Sequence, residues 1–201
     1  TFTNYPEDVV ASSSATVLTA DEVAFLSPFI EPQYLDPAVL TVVADQFAND
    51  SFILLDKFLK PSLAEELEQG LAALDAKQGL ERDARHGLIP DFKVGDGDEG
   101  WDVVGPSTRQ RFLSLSPSSS LQGVSAATAI VRSLLVDVLP STAFRSWLRL
   151  LSNFPLIGHK LEARRFRPGL DYTLARGEEG EESRLDVRLG LTPGTKWEDM
   201  E

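Results

Sequence analysis

The sequence predicts an α+β domain in which helices come first and an antiparallel sheet second. Apolar residues recur at helical spacing between Thr19 and Leu151, as in Phe144, Trp147, Leu148 and Leu151. Later segments alternate instead, with Leu185, Val187, Leu189 and Leu191 on one face of a strand and Arg184, Asp186 and Arg188 on the other. The 201 residues, 42% hydrophobic and 25% charged, suffice for one good core, so one domain with a tail is expected.

The elements follow in order. Thr1 to Ala20 is rich in Ser and Thr, has no Lys or Arg and shows no lasting period, so residues 1–18 read as a linker or disordered lead-in. Thr19 and Glu22 form a capping box that starts a short helix ending before Pro28. Asp36-Pro37 puts a capping carboxylate before a proline at the first helical position. Val39, Val43 and Phe47 then share a face to about Asn49. Ser51 to Leu55 is an apolar run of strand length, and Ser62 with Glu65 is a second capping box, followed by the stripe Leu63, Leu67, Leu71 and Leu74. From Lys77 to Ser120 loops are expected around two strands, Trp101–Val104 and Arg111–Leu115. Ser125 to Leu139 reads as helix, and Ser141 caps another. Strands are predicted over His159–Arg167, Leu170–Ala175 and Arg184–Leu191. Three C-terminal strands are too few for a sandwich or jelly roll, so a fragment or proteolytic product is expected.

Composition narrows the function classes. With 31 acidic and 19 basic residues the net charge is −12, which repels nucleic acid and anionic membranes at long range, so protein partners are expected. The absence of Cys excludes disulfides, thiolate metal sites and a Cys nucleophile, and fits a reducing cytosolic or nuclear setting. No apolar run approaches the roughly 20 residues of a membrane span.

Several motifs are better read as structure than as chemistry. Gly95 to Gly100 satisfies G-x-G-x-x-G, but no strong strand precedes it and Asp96, Asp98 and Glu99 stand where a pyrophosphate needs an electropositive cradle. An EF-hand loop starting at Asp96 would need an oxygen ligand where Gly100 stands and a bidentate Glu where Ser107 stands. The acidic run Gly177–Glu182 reads as a solvated hairpin tip that protects a sheet edge. His159 reads as an ordinary residue at the start of a strand, and Trp147 and Trp197 as packing residues. No nucleophile elbow of the G-x-S-x-G type occurs. Arg164, Arg165, Arg167, Arg184 and Arg188 gather in the strand region of an otherwise acidic chain. They are candidates for a partner-binding face, against the plainer reading as cross-strand partners for Asp186 and Glu162.

Five short matches in order carry a family resemblance: Leu26–Pro37, Ile53–Pro61, Phe144–Trp147, Leu150–Phe154 and Arg167–Leu174. Together, over roughly Leu18 to Thr195, they resemble the C-terminal, oxygenase degradation domain of the ribosomal prolyl hydroxylases. The resemblance implies a second, noncatalytic copy of the double-stranded β-helix, jelly-roll-like and incomplete at the C-terminus, over residues 19–201, with N-terminal helices packed on its sheet. A catalytic copy would precede it and would use iron(II), 2-oxoglutarate and ascorbate to hydroxylate a proline of a small-subunit ribosomal protein.

In the catalytic copy a strand delivers His-x-Asp or His-x-Glu and a later strand supplies a second His. The matching hairpin here, Phe166 to Glu178, has Arg176 at the His position and keeps Glu178 as the carboxylate. A guanidinium has no lone pair to give a metal. The only histidines, His86 and His159, both precede the hairpin, so no catalytic, cofactor or metal residue is carried over and Arg176 and Glu178 are relic positions.

The implied partners are the catalytic domain of the same protein, and a helical regulatory protein or translation-termination and poly(A)-binding factors. The implied role is oxygen-dependent regulation of translation and of transcription-factor degradation in cytoplasm and nucleus. Two other readings stay open. One is a structural domain that only stabilises the catalytic half. The other is a second dioxygenase site completed by further C-terminal strands.

Overall fold

The computed structural model describes residues 2–7, 15–78, 94–95, 97, 99–117, 123–167, 170–174 and 184–191. Its described elements confirm an α+β protein, with five α-helices and antiparallel pairing in both sheets. They are β1 (Thr3–Asn4), α1 (Ala20–Leu26), α2 (Pro37–Asp50), α3 (Pro61–Lys77), β2 (Trp101–Val104), β3 (Gln110–Leu115), α4 (Ala126–Ser133), α5 (Thr142–Ser152), β4 (Gly158–His159), β5 (Arg164–Arg165) and β6 (Tyr172–Thr173). A 3-10 turn at Pro32–Leu35 leads into α2, and a π-helical turn at Leu134–Val138 continues α4. The chain divides into two compact units, one from Thr1–Glu65 with Arg132–Glu162, the other from Glu66–Val131 with Ala163–Glu201.

The first unit is mainly helical. The Thr19 hydroxyl accepts from the Glu22 amide at 3.2 Å and the Glu22 carboxylate accepts from the Thr19 amide at 2.8 Å, the expected capping box. Asp36 accepts from Ala38 and Val39 and so caps α2, whose Leu40 and Val43 are buried. Ser141 caps α5 by accepting from Phe144 at 3.1 Å. The apolar stripe of α5 then packs Phe144 and Trp147 as stacked rings 5.6 Å apart, and the Trp147 indole N–H donates to the Tyr34 carbonyl at 2.8 Å. Within the stretch read as a lead-in, Thr3–Asn4 pairs with Gly158–His159 and Tyr5 is buried.

Ser51–Leu55 is not a strand. Ser51 closes α2 in a left-handed conformation, and the run beyond it has no ladder among the described residues, leaving Phe52 70% and Leu54 82% exposed. An apolar run without a partner strand cannot build a ladder. Pairing falls further on, where Leu59 bridges Ile30. The expected cap at Ser62 is displaced too: α3 begins at Pro61, whose fixed φ suits the first helical position.

The second unit holds the larger sheet. β2 and β3 pair from Trp101–Leu115 to Val104–Phe112, and β5 and β6 both pair with β3 on its other edge. Of the two strands placed among loops, β3 is therefore the centre of the sheet, pairing with β2, β5 and β6. Both interrupt the expected order of helices before strands. The long C-terminal strands reduce to pairs of residues, and Arg184–Leu191 forms no ladder among the described residues, with Val187 52% exposed. Alternation identifies faces, but only a neighbouring backbone makes a strand. α3 and α4 cross closely, for a Cβ on Gly70 would lie 2.6 Å from the Ala127 Cβ.

Candidate functional site

The candidate site is the arginine-bearing edge of the larger sheet. β5 follows Ala163, whose carbonyl accepts from the Leu115 amide at 3.1 Å, and its register sets Arg165 against Leu113 and Arg164 against Ser114. Neighbouring arginines in a strand point to opposite faces, and the three arginines of this segment take different surroundings.

Arg165 reaches α3, where its guanidinium bonds the Asp75 carboxylate and, at 2.9 Å, the Gln78 side-chain oxygen. Arg167 makes a two-pronged pair with Asp171: Nε and Nη2 each donate at 2.8 Å, and the Arg167 backbone amide donates at 2.8 Å as well. The Asp171 carboxylate is fully buried, and the buried Arg111 side chain lies 3.6 Å from its Oδ1. Two guanidiniums thus face one carboxylate inside the turn Arg167–Asp171, closed by the Leu170 and Asp171 amides on the Arg167 carbonyl. Arg164 lies exposed on the opposite face with its guanidinium 4.9 Å above the Phe112 ring, and Phe166 packs beside the same ring at 5.6 Å.

Arg184 forms an exposed pair with Asp186 at 3.1 Å, and Arg188 is exposed on the same extended segment. The structure therefore brings Arg164, Arg165 and Arg167 together on one edge. No described ladder joins Arg184 or Arg188 to it. Arg176 and Glu178 lie outside the described residues, as do His86 and Trp197.

Two polar clusters escaped sequence reasoning. Glu99, read there as part of a solvated loop, accepts from Lys77 Nζ at 2.9 Å and from the Ser125 amide at 3.0 Å, ahead of α4. Burial alone would raise its pKa, but the bonds from Lys77 and Ser125 outweigh burial and hold the carboxyl below the ordinary glutamate value. The Trp101 indole joins this network through Thr128 at 3.2 Å. Asp96 and Asp98 lie outside the described residues.

In the first unit, Arg145 is 2% exposed, donates from Nε to the Leu156 carbonyl at 2.8 Å and sits 5.3 Å over the Tyr5 ring. The His159 ring lies 5.0 Å from Tyr5, and burial lowers the His159 pKa while raising that of Tyr5. Arg145 is not among the stripe residues Phe144, Trp147, Leu148 and Leu151, so nothing in the sequence signalled its burial.

Among the described residues no three His, Cys, Asp or Glu side chains group so as to hold a metal ion. Arg176 and Glu178 supply one carboxylate and a guanidinium without a lone pair, a donor set that does not fit iron.

Comparison with known proteins agrees in extent with the sequence resemblance. A family described as oxoglutarate and iron-dependent oxygenase degradation C-term matches residues 21–201. A protein named prolyl 3,4-dihydroxylase OGFOD1, from Ostreococcus tauri, is 33% identical over 172 residues, which cover 84% of this chain and 32% of that relative. The chain spans about a third of the relative's length.

Proposed function

The chain belongs to the oxoglutarate and iron-dependent oxygenase degradation C-terminal family, and from that premise we propose that it is the noncatalytic, partner-binding half of a longer peptidyl-proline dioxygenase. What carries the proposal is Arg176, which the resemblance sets at the position of the first metal-binding His, with no His after it in these 201 residues. In this reading residues 19–201 are a degenerate double-stranded β-helix, residues 1–18 lead into it, and Arg176 and Glu178 are the remains of a lost iron site.

The longer protein would bind iron(II) and 2-oxoglutarate, with ascorbate as reductant, in a separate catalytic half and hydroxylate a small-subunit ribosomal protein. This half would contact that catalytic domain and a helical regulatory protein or translation-termination and poly(A)-binding factors. It would thereby link oxygen to translation and to transcription-factor turnover in cytoplasm and nucleus. The arginines at 164, 165, 167, 184 and 188 are the proposed partner-binding positions, supported by their enrichment in an acidic chain of net charge −12.

Deleting this half from the longer protein tests the proposal. Prolyl hydroxylation should persist in the remaining catalytic half while partner capture and target degradation are lost. Loss of hydroxylation with partner capture intact would favour the purely structural role instead.

A further inference from the structure

We propose that residues 2–5 form a strap on the first unit, held while His159 is neutral and released when its imidazole takes up a proton. The strap is a strand added to β4 by the chain itself. The Tyr5 amide donates to the Ile157 carbonyl at 2.9 Å, and Thr3 and Asn4 stand opposite His159 and Gly158. Tyr5 with Ile157 and, two residues on, Thr3 with His159 are therefore the bonded pairs of this ladder, which sets Tyr5 and His159 on one face. Their rings lie 5.0 Å apart there, and Tyr5 is 8% exposed. On the other face Phe2 lies across Gly158, where a Cβ would come within 2.5 Å of the Phe2 ring and of the Thr3 carbonyl oxygen. A two-stranded ladder is marginal on its own, so the side chains decide whether the strap stays down.

The groups around Tyr5 make that contact sensitive to charge. Arg145 of α5 holds its guanidinium 5.3 Å from the centre of the Tyr5 ring, and His159 of β4 meets the same ring. Glu7 and Lys160, the next charged residues along the two strands, are both exposed. His159 Nδ1 is buried and has no hydrogen-bond partner among the described residues. A neutral imidazole accommodates this by carrying its proton on Nε2 and leaving Nδ1 bare, whereas an imidazolium carries an N–H on both nitrogens. Protonation would bury a cationic donor without an acceptor and add a second positive charge beside Arg145. Attraction of the imidazolium to the Tyr5 ring acts the other way and is the weaker effect beside an unpaired buried donor. Burial accordingly lowers the His159 pKa while the strap is closed, and an open strap returns the ring to water. Strap stability is therefore complete above the ordinary histidine value of about 6.5 and is lost as pH falls through the lower, closed-state value. Residues 2–5 precede the family match over 21–201. On the reading of a longer protein proposed above, the chain from the catalytic half arrives through them and release slackens the join between the halves, whereas the switch itself does not depend on that reading.

The test follows amide hydrogen exchange of the whole chain by NMR at about pH 7.5 and about pH 5, on either side of the ordinary histidine value, with each rate referred to an unstructured peptide at the same pH. Protection of the Tyr5 amide should fall about threefold or more at the lower pH. The Leu40 amide, bonded to the Asp36 carbonyl in α2, should keep its protection. The His159 imidazole, followed by its own resonances, should take up its proton over the same interval. His159→Phe and His159→Gln should each remove the pH dependence at Tyr5. Gly158→Ala, which forces the Phe2 ring and the Thr3 carbonyl away, should open the strap at both pH values and return the His159 titration toward its ordinary value, the reciprocal effect that linkage requires. Unchanged Tyr5 protection in the unaltered chain, a tighter strap at the lower pH, or a parallel loss at Leu40 would overturn the proposal, and none of these results depends on a variant folding. So would a pH dependence that survives in His159→Gln, or a His159 titration unmoved by Gly158→Ala. Each such failure leaves the noncatalytic reading standing, because no partner, metal or catalytic half enters the measurement.

Discussion

Asp171 shows how a residue inside a recognisable motif takes its meaning from partners far along the chain. The run Arg167–Leu174 was legible as a family match, and the bond between Arg167 and Asp171 is local. Arg111, 60 positions away from Asp171, and the Arg165 pair with Asp75 left no trace in the sequence. Pairing at that separation depends on which strands and helices adjoin, and spacing does not encode it. Replacing Asp171 by Asn would leave two guanidiniums facing a neutral amide in a buried site. The loss should be about 3–5 kcal/mol, read from urea unfolding, because breaking a buried pair strands its partner's charge; a loss below about 1 kcal/mol would mean water reaches the cluster.

Glu99 gives the pH-dependent counterpart. Its folded pKa lies below that of the unfolded chain, so its contribution is complete above the unfolded value of about 4.3 and is lost as pH falls through the folded one. Glu99→Gln should therefore be less stable than the parent at neutral pH, with the gap in urea midpoint narrowing toward pH 3. A gap that stays constant would remove the carboxylate from the account.

At the scale of elements, three of the four expected helix caps are present, and the fourth, at Ser62, is displaced because α3 begins at Pro61. The caps at Thr19, Asp36 and Ser141 follow from hydroxyl and carboxylate groups placed before apolar stripes, and each is present. The strands were read less well because a strand is defined by its neighbour. Ser51–Leu55 and Arg184–Leu191 have strand composition without a ladder among the described residues, whereas Trp101–Val104 and Gln110–Leu115, set in a loosely patterned region, pair with each other, and the second of them is the centre of the sheet.

The close crossing of α3 and α4 was also invisible, since Gly70 sits within an ordinary helical pattern. Gly70→Ala should destabilise by about 1–3 kcal/mol despite the better helix propensity of alanine, because its methyl group meets Ala127. Adding Ala127→Gly should recover part of the loss. A double variant no better than the sum of the two singles would argue against that contact.

For the whole molecule, the family was legible from five ordered matches, and the profile match over residues 21–201 agrees with their extent. The candidate site was legible only as a concentration of arginine. That Arg165 pairs with Asp75, Arg167 with Asp171, and Arg164 stacks over Phe112 depends on the sheet. The central proposal is that these 201 residues hold no iron site. Anaerobic calorimetry of iron(II) with 2-oxoglutarate, on the chain and on Arg176→His, tests it most directly. Neither should bind iron at micromolar affinity, since the variant still lacks a His after the hairpin. Stoichiometric micromolar binding by the unaltered chain would contradict the account and point to a second active site, and such binding by the variant alone would show that the relic position can still complete a metal centre.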